Sequence, residues 1–171
     1  MFLESVEDQG FELQKNNVVY NVGTLYEEWS ISFDLMITEL HDGVFNIIRV
    51  GDSIVSRFPA IYLKDKSSAL EVRMAEGETG NLSFKSNPIP LNTWTHVWLF
   101  VQQEKDGGYA FNVVIDNANV HWERIPDPTT YSNVNIYASD DLQTAAHARI
   151  RDIEHETTPK EGLSHSYHSC F

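Results

Sequence analysis

The sequence of 171 residues is 42% hydrophobic and 12% aromatic, which is enough to bury the core of one domain without disulfide bonds or a structural metal. Twelve basic and 25 acidic residues give a net charge of -13, which repels phosphate groups and argues against nucleic acid and anionic membrane surfaces as partners. The same charge keeps a chain soluble and is compatible with binding of a hard cation such as calcium.

The N-terminal segment predicts a lead-in followed by short strands. The opening letters MFLESVEDQG lack the basic and apolar regions of a signal peptide, so none is expected in this chain. Residues 1–10 are predicted to be a flexible acidic lead-in, and residues 11–13 and 18–22 to be short strands. No apolar run approaches the roughly 20 residues that cross a bilayer, so membrane insertion is not expected.

Residues 29–37 have the clearest strand pattern. Apolar and polar side chains alternate, and one face carries Trp29, Ile31, Phe33, Leu35 and Ile37. This period of two predicts a strand with one face in a core and one wetter face. Further strands are predicted at residues 44–50, 59–64, 70–74 and 82–84.

The stretch at residues 92–120 predicts the central hairpin of the fold. Residues 94–102 are mainly apolar and aromatic, and strict alternation resumes over residues 109–115. Gly107 and Gly108 lie between these strands and supply the positive φ angles that a tight hairpin turn needs.

The C-terminal part continues the all-β pattern. Strands are predicted at residues 119–124, 134–138 and 147–153. Because no segment shows a helical period, the many short strands predict an all-β sandwich or barrel at residues 11–156. Residues 157–171 are predicted to be a polar tail.

The central hairpin also carries a family resemblance. The letters NTWTHV at residues 92–97, followed by an apolar strand and a hairpin, resemble the laminin-G-like domains of the concanavalin A-like lectin and glucanase superfamily. The strands at residues 29–33 and 148–153 resemble an early core strand and the last strand of that family.

The resemblance implies a jelly-roll sandwich of two antiparallel sheets. Family members most often bind carbohydrate or protein ligands outside the cell, frequently with calcium at the rim, and some are glycoside hydrolases or lyases. An extracellular location and a role in recognition or cell adhesion are therefore expected. Because one fold supports many activities, the resemblance does not choose among them.

The predicted ligand site is centred on Trp122. His121, Glu123 and Arg124 flank this ring, and an exposed aromatic ring beside hydrogen-bonding groups suits sugar binding. Galectins, of the same superfamily, use a Trp with Glu and Arg nearby, but their Trp-Gly-x-Glu and His-x-Asn-x-Arg patterns are absent here. The alternative is that Trp122 is a core residue.

The predicted metal site is Asp140 and Asp141, with calcium as the expected cofactor. Both follow a predicted strand, and two adjacent carboxylates repel each other unless a cation or water intervenes. Asp42 and Asp52 also lie beside turns. The alternative is that these residues are ordinary turn formers.

No catalytic residue is predicted. Asp152, Glu154 and Glu156 alternate as the carboxylates of a retaining glycosidase would. They are nevertheless predicted to be solvent-exposed acidic residues at the end of a strand. His96 is expected to be a packed histidine with a satisfied ring nitrogen.

Two further motifs are weaker. His165, His168 and Cys170 in the tail are zinc or copper ligand types without a fourth partner, and Cys170 as the single cysteine permits no internal disulfide. Asn81 begins a glycosylation sequon.

The leading hypothesis is a non-catalytic module that binds a glycan or an extracellular protein, with calcium assistance. A glycoside hydrolase or polysaccharide lyase on the same fold is one alternative, and a structural or self-assembling extracellular domain is another. The oligomeric state does not follow from the sequence.

Overall fold

The computed structural model describes residues 9–53, 56–76 and 80–159. The predicted lead-in, apart from Gln9 and Gly10, and the tail motif of His165, His168 and Cys170 lie outside these residues. Within the described ranges there is no helix long and apolar enough to cross a membrane.

Strands make up most of the described residues. In chain order these are β1 (Phe11–Glu12), β2 (Val18–Leu25), β3 (Glu28–Ile37), β4 (Val44–Gly51), β5 (Ala60–Lys64), β6 (Ser67–Glu76), β7 (Gly80–Pro88), β8 (Thr95–Gln103), β9 (Tyr109–Ile115), β10 (Ala118–Ile125), β11 (Tyr131–Tyr137), β12 (Thr144–Ala145) and β13 (Ala148–Thr158).

The strands pair into two sheets. The six-stranded sheet has the order β1-β13-β3-β8-β9-β10, and the seven-stranded sheet has the order β2-β11-β4-β5-β6-β7 with β12 added beside β4. All pairs are antiparallel except the short parallel contact between β12 and β4. The all-β, two-sheet antiparallel sandwich is therefore confirmed.

Strand β3 illustrates why these residues form this fold. Its five alternating apolar side chains are all buried, from Trp29 at 8% exposed to Ile37 at 0%. They face the buried side chains of the other sheet, such as Ile48 and Ile61. Burying one face of each strand removes apolar area from water at roughly 25 cal/mol per Å², which is the main stabilising contribution.

The central hairpin has the predicted strands and a slightly different turn. The N–H of Glu104 donates to the carbonyl of Gly108 at 2.7 Å, so the turn begins before the two glycines. Gly107 has a φ of 88°, whereas Gly108 lies outside the left-handed region. The prediction of positive φ at both glycines is thus wrong for Gly108, whose lack of a side chain instead leaves room for Arg124.

Strand β13 is longer than predicted. It continues beyond Ile153 to Thr158, because Glu156 and Thr157 pair with Ser30 and Trp29 of β3. The Thr157 hydroxyl also accepts a hydrogen bond from the Tyr26 N–H at 2.8 Å. The two glutamates of β13 therefore lie on an ordered sheet.

Candidate functional site

The outer face of the six-stranded sheet carries the candidate site. On β8 the odd-numbered residues Val97, Leu99 and Val101 are buried, whereas the even-numbered side chains point away from the core. Trp98 is 40% exposed in the middle of this strand. An exposed tryptophan far from a strand end is unusual, because such a ring contributes most to stability when it is buried.

Strand register assembles polar groups around Trp98. Directly paired residues on neighbouring strands point to the same side of a sheet. Trp98 pairs with Ser32, which pairs with Glu154. Phe100 pairs with Ser30, which pairs with Glu156. Two parallel rows on the outer face therefore each combine an aromatic ring, a hydroxyl and a carboxylate.

These rows form a groove of about 300 Å³. Its walls are Ser30, Ser32, His96, Trp98, Glu154, His155 and Glu156. The Trp98 ring lies 4.3 Å from the Phe100 ring, centroid to centroid, which holds the indole in place. The groove thus offers a fixed apolar ring beside hydrogen-bonding groups, the usual composition of a small-ligand site.

One end of the groove is held by a chain of polar contacts. The Nδ1 atom of His96 lies 2.9 Å from the Oδ1 atom of Asp34. Arg151 donates from Nε to the Oδ2 atom of Asp34 at 3.2 Å, and its guanidinium lies 4.2 Å from the centre of the Trp94 ring. The His96 ring nitrogen is satisfied as expected, but its side chain is 46% exposed and not packed in the core.

The structure divides the predicted ligand site between two sides of β10, the edge strand of the sheet. Trp122 pairs with Asn112, and Asn112 pairs with Phe100, so Trp122 shares the outer face with Trp98. Trp122 is 55% exposed, which shows that it is not a core residue. Its Nε1 atom lies 3.4 Å from the Oε1 atom of Glu104.

Arg124 accompanies Trp122 on the outer face. Its Nη2 atom lies 2.8 Å from the Oδ2 atom of Asp106 in the hairpin turn. The hydrogen bond from Arg124 and then that from the Gly108 N–H lower the pKa of Asp106 below its ordinary value. This exposed pair holds the guanidinium against the hairpin turn.

His121 and Glu123 lie on the opposite side of β10. The His121 ring stacks on Phe84 with centroids 4.5 Å apart, and its Nε2 atom lies 3.2 Å from the Oε2 atom of Glu123. A register shift between Asn119 and His121 marks a bulge just before this pair. Side chains alternate along a strand, so four consecutive residues cannot share one face.

The predicted metal ligand Asp140 forms an internal ion pair. It is 0% exposed, and its Oδ2 atom lies 3.5 Å from the Nε atom of Arg49, which is 2% exposed. Its Oδ1 atom accepts hydrogen bonds from the N–H groups of Leu142 at 3.1 Å and Gln143 at 2.9 Å.

Arg49 is enclosed by further groups. Its Nη1 atom donates to the carbonyls of Ser53 and Ser56, and its guanidinium lies 4.4 Å from the centre of the Tyr137 ring. The guanidinium therefore holds the position beside Asp140 that a cation would need. Asp140 is thus already paired with a cationic side chain, and calcium binding at Asp140 and Asp141 stays a prediction.

The other predicted acidic residues are exposed. Asp42 pairs with Lys66 at 2.6 Å between Oδ2 and Nζ. On β13 a register shift between Arg151 and Glu154 places Asp152 in a bulge with a φ of 50°. Asp152 therefore leaves the regular alternation, while Glu154 and Glu156 keep it and line the groove.

Sequence reasoning missed Trp98 as a site residue. The run at residues 94–102 predicts a mainly apolar and aromatic strand, in which His96 and Trp98 occupy alternate positions. The polar His96 indicates which face is wet, so this alternation could have placed Trp98 on that face.

No protein-family model and no curated protein sequence matches this chain. Solved structures do match. A heptameric SAP-like pentraxin from Limulus polyphemus has a TM-score of 0.56 and 11% identity, with 81% of this chain and 67% of that chain covered. A galectin of Caenorhabditis elegans has a TM-score of 0.55 and 11% identity, with 90% and 99% covered.

The binding domain of botulinum neurotoxin DC, in complex with SialylT, is a third match. Its TM-score is 0.58 at 15% identity, and the alignment covers 80% of this chain and 34% of that one. This chain therefore spans about a third of the toxin fragment. Identities this low show the fold alone. The described residues have the two-sheet jelly-roll fold of the concanavalin A-like proteins.

Proposed function

We propose that this protein is a non-catalytic binding module that recognises a glycan on the outer face of its six-stranded sheet. The observation that carries the proposal is Trp98, which is 40% exposed at mid-strand and lines a groove of about 300 Å³. The apolar face of a pyranose ring stacks on such an indole. The hydroxyls of Ser30 and Ser32 and the carboxylates of Glu154 and Glu156 can then bind sugar hydroxyl groups.

Trp122 extends the proposed site to the sheet edge. It lies on the same face, with Glu104 and the Arg124–Asp106 pair beside it. Two exposed tryptophans on one face fit an oligosaccharide that contacts both rings. A ligand that bound only Trp122 would not contact the groove around Trp98.

The charge of the groove narrows the ligand class. Glu154 and Glu156 line it, and the whole chain carries a net charge of -13. This field disfavours sulfated and sialylated glycans. We therefore expect neutral sugars to bind better than anionic ones.

The matched structures support a recognition role without identifying the ligand. Among them are a toxin binding domain in complex with SialylT and a related domain in complex with rat synaptotagmin II. Related toxin binding domains thus occur in complexes with two different ligands. A laminin-G-like relationship and an extracellular location remain parts of the proposal. Calcium assistance does not, because Arg49 already supplies a positive charge to Asp140.

The test is a glycan array followed by titration of the best neutral ligand. Trp98→Ala should weaken binding about 5- to 150-fold, because one stacked ring contributes roughly 1–3 kcal/mol. Leu91→Ala, which removes another exposed apolar side chain at 41% exposure, should leave affinity unchanged. Equal loss in both variants, or no neutral glycan bound at all, would count against the proposal.

An enzymatic function is the second candidate, since Glu154 and Glu156 line the same groove. Retaining glycosidases place two carboxylates on either side of the scissile bond. If Glu154→Gln or Glu156→Gln abolished release of reducing sugar while binding persisted, the module would be a hydrolase. Absence of any sugar release by the parent protein supports the binding function.

A further inference from the structure

A second cluster of chemical groups lies away from the groove. Glu39 and His41 belong to the connection between β3 and β4, and His147 lies between β12 and β13. The Oε2 atom of Glu39 is 3.5 Å from both the Nε2 atom of His41 and the Nδ1 atom of His147. One ligand atom from each residue lies within 4.8 Å of the others. We call these three residues the His–Glu cluster.

Backbone hydrogen bonds hold the two chain segments together. The carbonyl of His147 accepts hydrogen bonds from the N–H of Thr38 at 2.9 Å and of Glu39 at 3.3 Å. The Thr38 hydroxyl donates to the same carbonyl at 2.9 Å. The positions of Glu39 and His147 are therefore set by the fold before any ligand arrives.

His41 is also held in place. Its carbonyl accepts a hydrogen bond from the N–H of Lys66 at 3.0 Å. Its ring lies 5.9 Å from the Phe45 ring and 4.2 Å from the His147 ring, centroid to centroid. The two imidazole rings are therefore already side by side before any metal binds.

The Nε2 atom of His41 lacks a hydrogen bond. This atom is buried and has no hydrogen-bond partner, although the ring as a whole is partly exposed. Buried polar atoms are nearly always paired, because an unpaired one loses its hydrogen bonds to water without replacement. A metal ion bound between Nε2 and the other two ligand atoms would supply the missing partner of Nε2.

The distances suit a tetrahedral transition metal. With ligand bonds of about 2.0–2.1 Å, neighbouring ligand atoms around Zn²⁺ lie about 3.3 Å apart. Both measured distances from Glu39 are 3.5 Å, so only the two imidazoles need a small adjustment. Nitrogen ligands favour zinc, copper and nickel over calcium, which takes oxygen ligands.

We propose that Glu39, His41 and His147 bind a divalent transition metal of the zinc class, with a fourth position open to water or an incoming ligand. Three protein ligands with one open position are typical of accessible zinc sites. This site does not involve Trp98 or the groove, so it stands independently of the proposed glycan function.

The test uses the 171-residue chain and zinc alone, titrated in competition with a chromophoric chelator. The variant His41→Ala/His147→Ala should bind Zn²⁺ at least about tenfold more weakly. The matched control is His165→Ala/His168→Ala/Cys170→Ala, which removes the potential ligands of the tail and should keep the parent affinity. Ca²⁺ in excess should not displace the zinc.

Thermal melting checks that the variants fold and provides a second reading. Zinc should raise the melting temperature of the parent and of the tail variant, because a ligand that binds only the native state stabilises it. If the double His variant fails to fold, Glu39→Gln, at an exposed position, replaces it. Zinc binding that survives in the cluster variants, is lost with the tail variant, or is absent from the parent would overturn the proposal.

Discussion

The outer face of the six-stranded sheet and the Arg49–Asp140 pocket of the seven-stranded sheet use similar side chains in opposite ways. Both combine a carboxylate, a cationic or imidazole group and an aromatic ring. On the outer face, Trp98 is 40% exposed and the His96 side chain 46% exposed. In the pocket, Arg49 is 2% exposed and Asp140 0% exposed.

The comparison separates groups that stabilise from groups that can bind. The charges of the pocket interact with each other and with backbone groups, so no external ligand can reach them without first breaking those contacts. The ring of Trp98 keeps an open surface, which contributes little to folding. Substitutions in the pocket should therefore change stability, and substitutions on the face should change binding.

The largest expected effect comes from Arg49→Met. It leaves Asp140 buried without its partner charge, and breaking a buried pair typically costs about 3–5 kcal/mol. Denaturant unfolding measures the loss. Arg124→Met, at a side chain 53% exposed, is the matched control and should cost less than about 1 kcal/mol. If both variants lost a similar free energy of unfolding, the buried and the exposed ion pair would not differ in their contribution to stability.

Trp98→Ala should have an intermediate effect on stability. It removes the contact with the Phe100 ring, and an aromatic pair contributes about 0.5–1.5 kcal/mol beyond its buried area. Trp122→Ala, at 55% exposure, should cost less than Trp98→Ala. A loss of several kcal/mol by unfolding measurements would mean that Trp98 is a structural residue and not a binding platform.

Calcium should have a small effect or none. Arg49 already supplies a positive charge to Asp140, so millimolar Ca²⁺ should leave the melting temperature of the parent unchanged. Calorimetry with and without Ca²⁺ measures this. A rise in the melting temperature that disappears in Asp141→Asn would instead establish the predicted calcium site.

The smallest expected effect concerns the pH dependence of the Asp106–Arg124 pair. Arg124 lowers the pKa of Asp106 from 3.8, so the folded state favours the ionised carboxylate. The pair therefore stabilises the fold above the unfolded pKa, and the contribution is lost as the pH falls through the folded pKa. The difference in melting temperature between the parent and Asp106→Asn should shrink below about pH 4. A difference in melting temperature that grows on acidification would contradict this, because the pair would then stabilise the fold more at low pH.

Local pattern was enough for much of the fold. The alternation in β3 and the hairpin of β8 and β9 were predictable, because the side-chain period of a strand depends only on neighbouring residues. The same pattern was not enough for Asp140. Its burial depends on Arg49, a residue on another strand, and turn-like sequence gave no sign of that pairing.

The candidate sites show the same limit. The residues around Trp122 predict a site on β10, but the register across three strands is what joins Trp98, Ser32 and Glu154. The His–Glu cluster was not predictable either, because His41 and His147 are distant in sequence and no spacing motif links them. Such clusters form only when the folded chain brings distant segments together.

The sequence by itself determined the all-β class and most of the strands, because period-two burial and turn residues act over a few neighbouring positions. Tertiary structure alone decided which polar groups are satisfied internally and which remain open. That decision depends on burial and on partners brought together from distant strands. For this reason Asp140 is enclosed, while Trp98 and the His–Glu cluster remain accessible to ligands.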